Sequence, residues 1–267
     1  MNIKEAESKS CITKSKLTDY VINPYIGCQH GCKYCYAVFI KKFQNIKEPW
    51  GEFCFPKINC PDLIEKELKN LKPGNIFFSS VCDPYTLLEG KYKLTRKILE
   101  KIAGFKYGKK FKIEILTKSA LVKRDFDLLK KLNAKVGVSV NNLNTKAARI
   151  LEPLASPPKE RIKVLKEAHK KGIKAYGFVS PILPGITNLE DIFKNLKFAD
   201  YVWVEFLNTK SSVMQRLMPV IKKYFPQALS QFQFMFNDYP NYRKQIINEA
   251  RTLEKKYKLK VWNIVVH

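Results

Sequence analysis

The chain has 267 residues, 49 of them Lys or Arg and 24 Asp or Glu, for a formal charge of +25. That length allows one large domain or two small ones with a substantial core, and the lack of any apolar run of about 18 residues argues against a membrane-spanning helix. The charge favours a polyanionic partner, nucleic acid ahead of an acidic membrane surface, but 42 of the basic residues are lysines and only seven are arginines. Arginine is the better reader of bases and phosphates, so a lysine-biased surface accounts for the charge equally well.

Residues 1–19 alternate charged and polar side chains, lack the apolar core of a signal peptide, and read as a polar leader. Seven cysteines is an odd number and three of them stand in one loop, so a cytoplasmic protein with reduced thiols is expected rather than a disulfide framework. The apolar stretch Tyr20 to Ile26 reads as the first strand. At its C-terminal end it delivers Cys28, Cys32 and Cys35, in C-x₃-C-x₂-C spacing. Gly27 and Gly31 let the backbone turn tightly, and Tyr34 and Tyr36 interleave with the sulfurs. Three thiolates so close in sequence can converge on one metal centre. A 4Fe–4S cluster has four irons, so three cysteines leave one iron open to a substrate or cofactor. The alternative is structural zinc with Cys11, Cys54 or Cys60 as fourth ligand, although zinc sites usually pair two C-x₂-C knuckles and only one is present.

Residues 40–59 read as a long irregular connection containing Pro49, Trp50, Gly51, Cys54 and Pro56, of the kind that often forms a lid or a substrate surface. An alternation then begins. Apolar stripes at helical spacing predict helices over Asp62–Leu71, around Leu94–Ile102, around Phe126–Leu132 and over Glu160–Lys171, with a short one near Asn188–Phe198. Between them, strands are expected over Asn75–Val81, Phe111–Leu116, Val136–Val140, Lys174–Val179 and Tyr201–Phe206. Such alternation implies parallel strands with right-handed crossovers. The expected fold is α/β: a partial (β/α)6 TIM-type barrel over residues 20–210, with its active site at the C-terminal strand ends. A C-terminal α/β extension, residues 211–267, is expected to pack on the barrel with helices at 213–225 and 241–257 and a last strand over Lys258–Val266.

The strand ends are unusually polar. The second runs into Ser79, Ser80, Val81, Cys82 and Asp83; the third ends in Thr117, Lys118 and Ser119; the fourth in Ser139, Val140 and Asn141. Ser80 and Asp83 could accept hydrogen bonds from an ammonium group, Lys118 could pair with a carboxylate, and Ser139 suits ribose hydroxyls; turns and solvated surface are the plainer readings of the same residues. Pro181, Pro184 and Gly185 after the fifth strand fix a backbone that could lie against a flat ring. Glu205, near the end of the sixth, faces the mouth or not according to strand register. Cys54 and Cys60 are expected to pack, His30 to be a loop residue and His169 to lie in the core.

Together with Pro49-Trp50-Gly51, Asp83-Pro84-Tyr85, Leu94-Thr95-Arg96, Arg124-Asp125, Glu152-Pro153 with Arg161, and the Pro181–Gly185 segment, the cysteine loop resembles the photolyase-like branch of the radical S-adenosylmethionine (SAM) enzymes, relatives of spore photoproduct lyase. The resemblance covers residues 23–208. It implies a 4Fe–4S cluster on Cys28, Cys32 and Cys35, with SAM on the open iron and cleaved to a 5′-deoxyadenosyl radical that abstracts hydrogen from substrate. It further implies Ser80 and Asp83 at the SAM amine, Lys118 at its carboxylate, Ser139 at its ribose, and the adenine near Tyr34 and Tyr36, with Pro181 a further cofactor-binding candidate from its own segment. Cys82 stands in the neighbourhood of the lyase's hydrogen-donating cysteine, though in a different context, and packing at a strand end is its plainer role. A DNA or RNA substrate and an electron donor such as flavodoxin or ferredoxin are the implied partners. A peptide, lipid or small metabolite is the alternative substrate, and a metal-bearing nucleic-acid-binding module without catalysis is the reading from another class.

Overall fold

The computed structural model describes residues 1–266. Its ten strands are β1 (Ile12–Lys14), β2 (Tyr20–Ile22), β3 (Tyr25–Gly27), β4 (Cys54–Pro56), β5 (Asn75–Phe78), β6 (Lys112–Thr117), β7 (Lys135–Ser139), β8 (Lys174–Ile182), β9 (Tyr201–Phe206) and β10 (Val261–Val265). Eight form one sheet in the order β1-β2-β5-β6-β7-β8-β9-β10. β1 is antiparallel to β2, and every pairing from β2 to β10 is parallel. This is the mostly parallel α/β partial barrel expected from the alternation.

Side chains alternate across the sheet as the pleat requires. Ile76 and Phe78, Ile113 and Ile115, Val136 and Val138, Val202 and Val204 face outward and are fully buried. They meet the apolar stripes of the surrounding helices: Ile64 and Leu68 of Cys60–Lys69, Ile98, Leu99 and Ile102 of Leu94–Gly104, Val164, Leu165 and Ala168 of Pro158–Lys170, and Ile192, Phe193 and Leu196 of Leu189–Leu196. Each such side chain contributes about 1.5–3 kcal/mol on burial. The main core therefore lies outside the sheet, and the concave face, with Phe77, Leu116, Phe178 and Trp203, lines a cavity instead.

Several short elements differ from the expectation. The first strand is broken: β2 stays in the main sheet, while β3 leaves it to pair antiparallel with β4. Pro24 at the break has no N–H for a ladder, and the Asn23 side chain accepts from the Val81 amide at 3.1 Å instead. The connection read as irregular thus contains β4 and a helical turn at Ile40–Phe43. The first residues run beside it, with parallel bridges from Asn2 to Phe53 and from Ala6 to Lys57. The strand expected in the tail is β10, a seventh parallel strand beside β9. Helices at Thr145–Leu151 and Leu229–Asn237 were not expected.

Trp50-Gly51 is set by a close approach. Gly51 has φ +98°, and a Cβ placed on it would lie 2.7 Å from Cα of Gly31, inside the cysteine loop and itself at φ +61°. Backbone therefore packs on backbone, which only glycine permits. Gly51→Ala is expected to lower the unfolding free energy by about 2 kcal/mol or more, read as a shift in the urea midpoint at unchanged slope.

Candidate active site

At the C-terminal end of the sheet the three clustered cysteines open into a cavity of about 470 Å³, within the range of cofactor and substrate sites. The residues that the sequence offers for a cluster, SAM and hydrogen transfer line it: Cys28, Cys32 and Cys35; Tyr34 and Tyr36; Ser80, Cys82 and Asp83; Lys118; Ser139; and Pro181; Asn141, Pro184 and Gly185 do not. Glu205 lines it too and accepts a hydrogen bond from Ser180 Oγ, so the register turns it inward.

The cysteine loop is held from several sides. Asp83 Oδ1 accepts from Thr117 Oγ1 at 2.6 Å and from the Tyr85 amide at 2.9 Å. Its Oδ2 accepts from the Lys118 amide at 2.8 Å and lies 3.3 Å from His30 Nδ1. A carboxylate has about four lone-pair sites, so these neighbours occupy Asp83 fully; it ties the loop, through His30, to the ends of β5 and β6. Burial alone would raise its pKa, but His30, the Thr117 hydroxyl and the Lys118 amide bring it down to about 2. His30 is thus a buried partner of Asp83. His169 proves to be exposed beside Asp200, on the solvent side of its helix.

Gln29 fixes the same stretch: its Oε1 accepts from the Leu88 amide at 2.8 Å and from Thr86 Oγ1 at 3.1 Å. Farther along, Tyr34 donates its hydroxyl proton to Glu152, which also pairs with Arg161. Arg161 reaches Ser156 O at 2.6 Å and Ser139 O at 2.8 Å. Arg161 and Glu152 are both almost wholly buried, and their mutual attraction, with each of the three guanidinium nitrogens donating a hydrogen bond, is what makes that burial tolerable. Tyr34 is turned into the wall by this bond, with Lys118 Nζ 5.7 Å from its ring centre, while Tyr36 remains at the rim with its hydroxyl on Ser80 O. Finally, Arg216 of helix Ser211–Tyr224 donates to Cys32 O at 2.7 Å and Cys35 O at 3.2 Å. The sequence reading missed Gln29 and Arg216, and for Arg216 the available signal was that arginine is scarce here.

The thiol arrangement suits an iron–sulfur cluster. Cys28, Cys32 and Cys35 share one cavity, and Arg216 holds the carbonyls of two of them. Among the described residues no three His, Cys, Asp or Glu side chains are arranged to hold a single metal ion, and soft thiolates in threes are the donor set that iron–sulfur clusters take. The proposed zinc ligands lie elsewhere: Cys11 and Cys60 hydrogen-bond to each other, and Cys54 Sγ sits 4.0 Å from Gly27 O. Burial pushes Cys28 and Cys35 up and Cys32 up to about 12, with Lys118 opposing at Cys32. Such thiols give up their protons to a metal rather than to water. Burial also works against charge on Lys118, but Cys32 and Glu152 outweigh it and keep the ammonium protonated.

A partial parallel barrel with a three-cysteine loop over its C-terminal mouth defines a class of cluster-bearing α/β enzymes. The model of the Radical SAM superfamily matches residues 22–199, and the chain belongs to that superfamily. An uncharacterized protein of Methanocaldococcus jannaschii is 37% identical over 100% of this chain and 98% of its own length. One from Acidianus two-tailed virus is 34% identical over 73% of this chain and 69% of its own. Among solved structures, spore photoproduct lyase complexed with dinucleoside spore photoproduct superposes with a TM-score of 0.66 at 15% identity, over 98% of this chain and 81% of the lyase. A mutant of the same enzyme with bound AdoMet gives 0.65 at 16% identity over 98% and 80%. No helix among the described residues is long and apolar enough to cross a membrane.

The depressed Asp83 pKa makes stability depend on pH. A carboxylate at about 2 when folded and 3.8 when free contributes stability that is present above about pH 4 and lost as pH falls through 2, some 2 kcal/mol in all. Asp83→Asn removes this contribution. The gap in unfolding free energy between wild type and variant is therefore expected to narrow by about 2 kcal/mol between about pH 5 and pH 2, measured by urea denaturation across that range.

Proposed function

We propose that this radical SAM enzyme carries a 4Fe–4S cluster on Cys28, Cys32 and Cys35, binds SAM beside it, and acts on a base of a nucleic acid. The observation that carries the reading is the two-part wall of the cavity: thiols and polar strand ends at the mouth, and Phe77, Phe178 and Trp203 on the strand wall. The mouth suits the charged and polar parts of SAM, and the aromatic wall suits a second flat ring. The +25 charge supports a polyanion, and so does the dinucleoside photoproduct bound by the solved structural neighbour.

When bound, the cluster and SAM supply a 5′-deoxyadenosyl radical by one-electron cleavage of the sulfonium, with flavodoxin or ferredoxin as the class of donor. The chain binds and orients. Lys118 pairs its ammonium with the SAM carboxylate, and the Ser80 hydroxyl accepts from the amine. Asp83 acts one step removed, holding His30 and the Lys118 amide. Ser139, whose hydroxyl donates to Ser180 O at 3.2 Å, keeps its lone pairs for the ribose. Pro181 and Tyr36 offer apolar surface to the adenine, while Tyr34 backs the wall.

Cys82 also faces the cavity, with Sγ 3.2 Å from Ser79 Oγ. Burial pushes its thiol up to about 11, the Ser79 hydroxyl opposing. It therefore keeps its S–H at neutral pH, and only a neutral thiol can give a hydrogen atom to a carbon radical on the substrate.

Anaerobic reconstitution is expected to give about four irons per chain, and with reductant and SAM to release 5′-deoxyadenosine and methionine. Cys32→Ala is expected to lose the iron and this cleavage together. Cys82→Ala should keep both and form less substrate product per 5′-deoxyadenosine. Incubation with DNA or RNA deuterated in its bases alone tests the substrate class: deuterium in 5′-deoxyadenosine supports the nucleobase, and deuterium only from sugar-labelled nucleic acid or from labelled protein or metabolite fractions rules it out.

A further inference from the structure

Acidic residues are missing from two parts of the chain that meet at the cavity mouth. No Asp or Glu stands between Asp19 and Glu48, nor between Glu205 and Asp238, and these are the two longest acid-free stretches of the sequence. The first contains the cysteine loop and the helical turns Tyr36–Phe39 and Ile40–Phe43; the second contains helix Ser211–Tyr224. The structure packs that helix on the turn Tyr36–Phe39 and joins the two through Arg216. Lys33, Lys41, Lys42 and Lys47 from one and Lys210, Lys222 and Lys223 from the other give this collar a strong positive excess, with Glu48 beside Lys41 at its edge.

Along the first helical turns runs a stripe of exposed rings. Tyr36, Phe39 and Phe43, spaced three and four residues apart on one face, are 39%, 44% and 77% exposed. Tyr36 and Phe39 stack with centroids 6.4 Å apart, and Phe43 meets Phe39 edge to face at 5.9 Å. The stripe starts in the cavity, since Tyr36 lines it, and runs outward over the surface. An aromatic ring at Phe43's exposure contributes little to the fold beyond its edge contact with Phe39. All three residues are aromatic rather than aliphatic, and they are set among lysines. That combination of stacking faces with a basic track is what binds single-stranded nucleic acid without regard to sequence.

We infer that the collar is a docking surface for single-stranded nucleic acid: bases stack on Phe39 and Phe43, phosphates run over the lysines, and the adjoining nucleotide is led past Tyr36 into the cavity. The inference rests on the nucleobase reading above and adds how the strand arrives.

The test is fluorescence anisotropy of a labelled oligothymidylate of about 15 nucleotides with the full, reconstituted chain. Phe39→Ala/Phe43→Ala is expected to weaken binding about tenfold or more, whereas Phe39→Tyr/Phe43→Trp, which keeps the rings, retains it. Lys42→Gln/Lys47→Gln is expected to lower the slope of log affinity against log salt by about 0.7 for each phosphate that is no longer neutralised. An unchanged thermal midpoint and unchanged substrate-free SAM cleavage show that the ring variant is intact. No oligonucleotide binding by wild type, or equal binding by the alanine variant, overturns the proposal. So does ring-dependent binding to phosphatidylglycerol vesicles in place of the oligonucleotide, which makes the stripe a membrane contact. Deuterium transfer from a labelled oligonucleotide separates the two readings. Ring-dependent binding without transfer leaves the collar standing and ends the nucleobase reading; transfer undiminished in the alanine variant does the reverse.

Discussion

The cysteine loop contains little that could hold its own shape. Among its backbone hydrogen bonds one is internal, from the Cys35 amide to Cys32 O at 3.2 Å, and the Lys33 amide reaches outside to Leu151 O. Three thiols must nevertheless be presented to one cofactor with tolerances of about 0.5 Å. The missing order is imported: Asp83 and Gln29 bind the first half of the loop to the end of β5, Glu152 and Arg161 bind Tyr34 to the helix after β7, and Arg216 binds the second half to the C-terminal helices. These anchors come from segments far apart in sequence, so the loop has its shape only when the whole barrel and its tail are folded. A cluster held by the loop would then stabilise the entire fold by mass action.

This dependence explains which parts of the site were legible in the sequence. Residue types with chemistry at strand ends could be picked out, because a buried parallel strand seldom ends in Ser80, Asp83 or Lys118 without a use, and these three line one cavity with Ser139 and Pro181. Their individual partners could not be read. Asp83 suits an ammonium as a residue type, but in the fold nearer donors fill its oxygens. Tyr34 suits adenine, but Glu152 turns it into the wall. Competition among donors is settled by tertiary distance, which sequence spacing does not encode. The same divide runs through the fold. Long helical stripes and apolar strands were recoverable from periodicity, whereas the three-residue strands β1, β3 and β4 are too short to have a period and exist only through their partners.

Arginine use shows a second consequence. Arg96 bonds Asp125 and Asp127, Arg124 bonds Glu89 and Asp125, Arg161 bonds Glu152, and Arg216 bonds the cysteine loop. Leu94-Thr95-Arg96 and Arg124-Asp125 therefore belong to a scaffold network behind the barrel mouth. There Glu89 also accepts from the Thr95 amide at 3.0 Å and from the Tyr25 hydroxyl, which fixes the hairpin β3–β4 leading into the loop. Planar guanidinium forks suit such multi-partner burial better than lysine does. Four of the seven arginines are thus committed to scaffold contacts, while Arg149, Arg243 and Arg251 are exposed, so the count of arginines says little about a polyanion outside.

A surface charged mainly by lysine has a bearing on specificity. Lysine ammonium groups attract phosphate as point charges and read no base edge, and stacking on exposed rings tolerates any base. A strand arriving over such a surface would be held without being identified. Discrimination must then fall to the cavity, where Phe77, Phe178 and Trp203 set the shape available to a ring and Glu114, Tyr176 and the Ser180–Glu205 pair are polar groups beside them. Polar groups left unmatched by the wrong ring once water is excluded cost more than a poor fit against apolar walls. The concave face of the sheet, kept free of the aliphatic packing that fills its outer face, is therefore where the chain can tell one substrate from another.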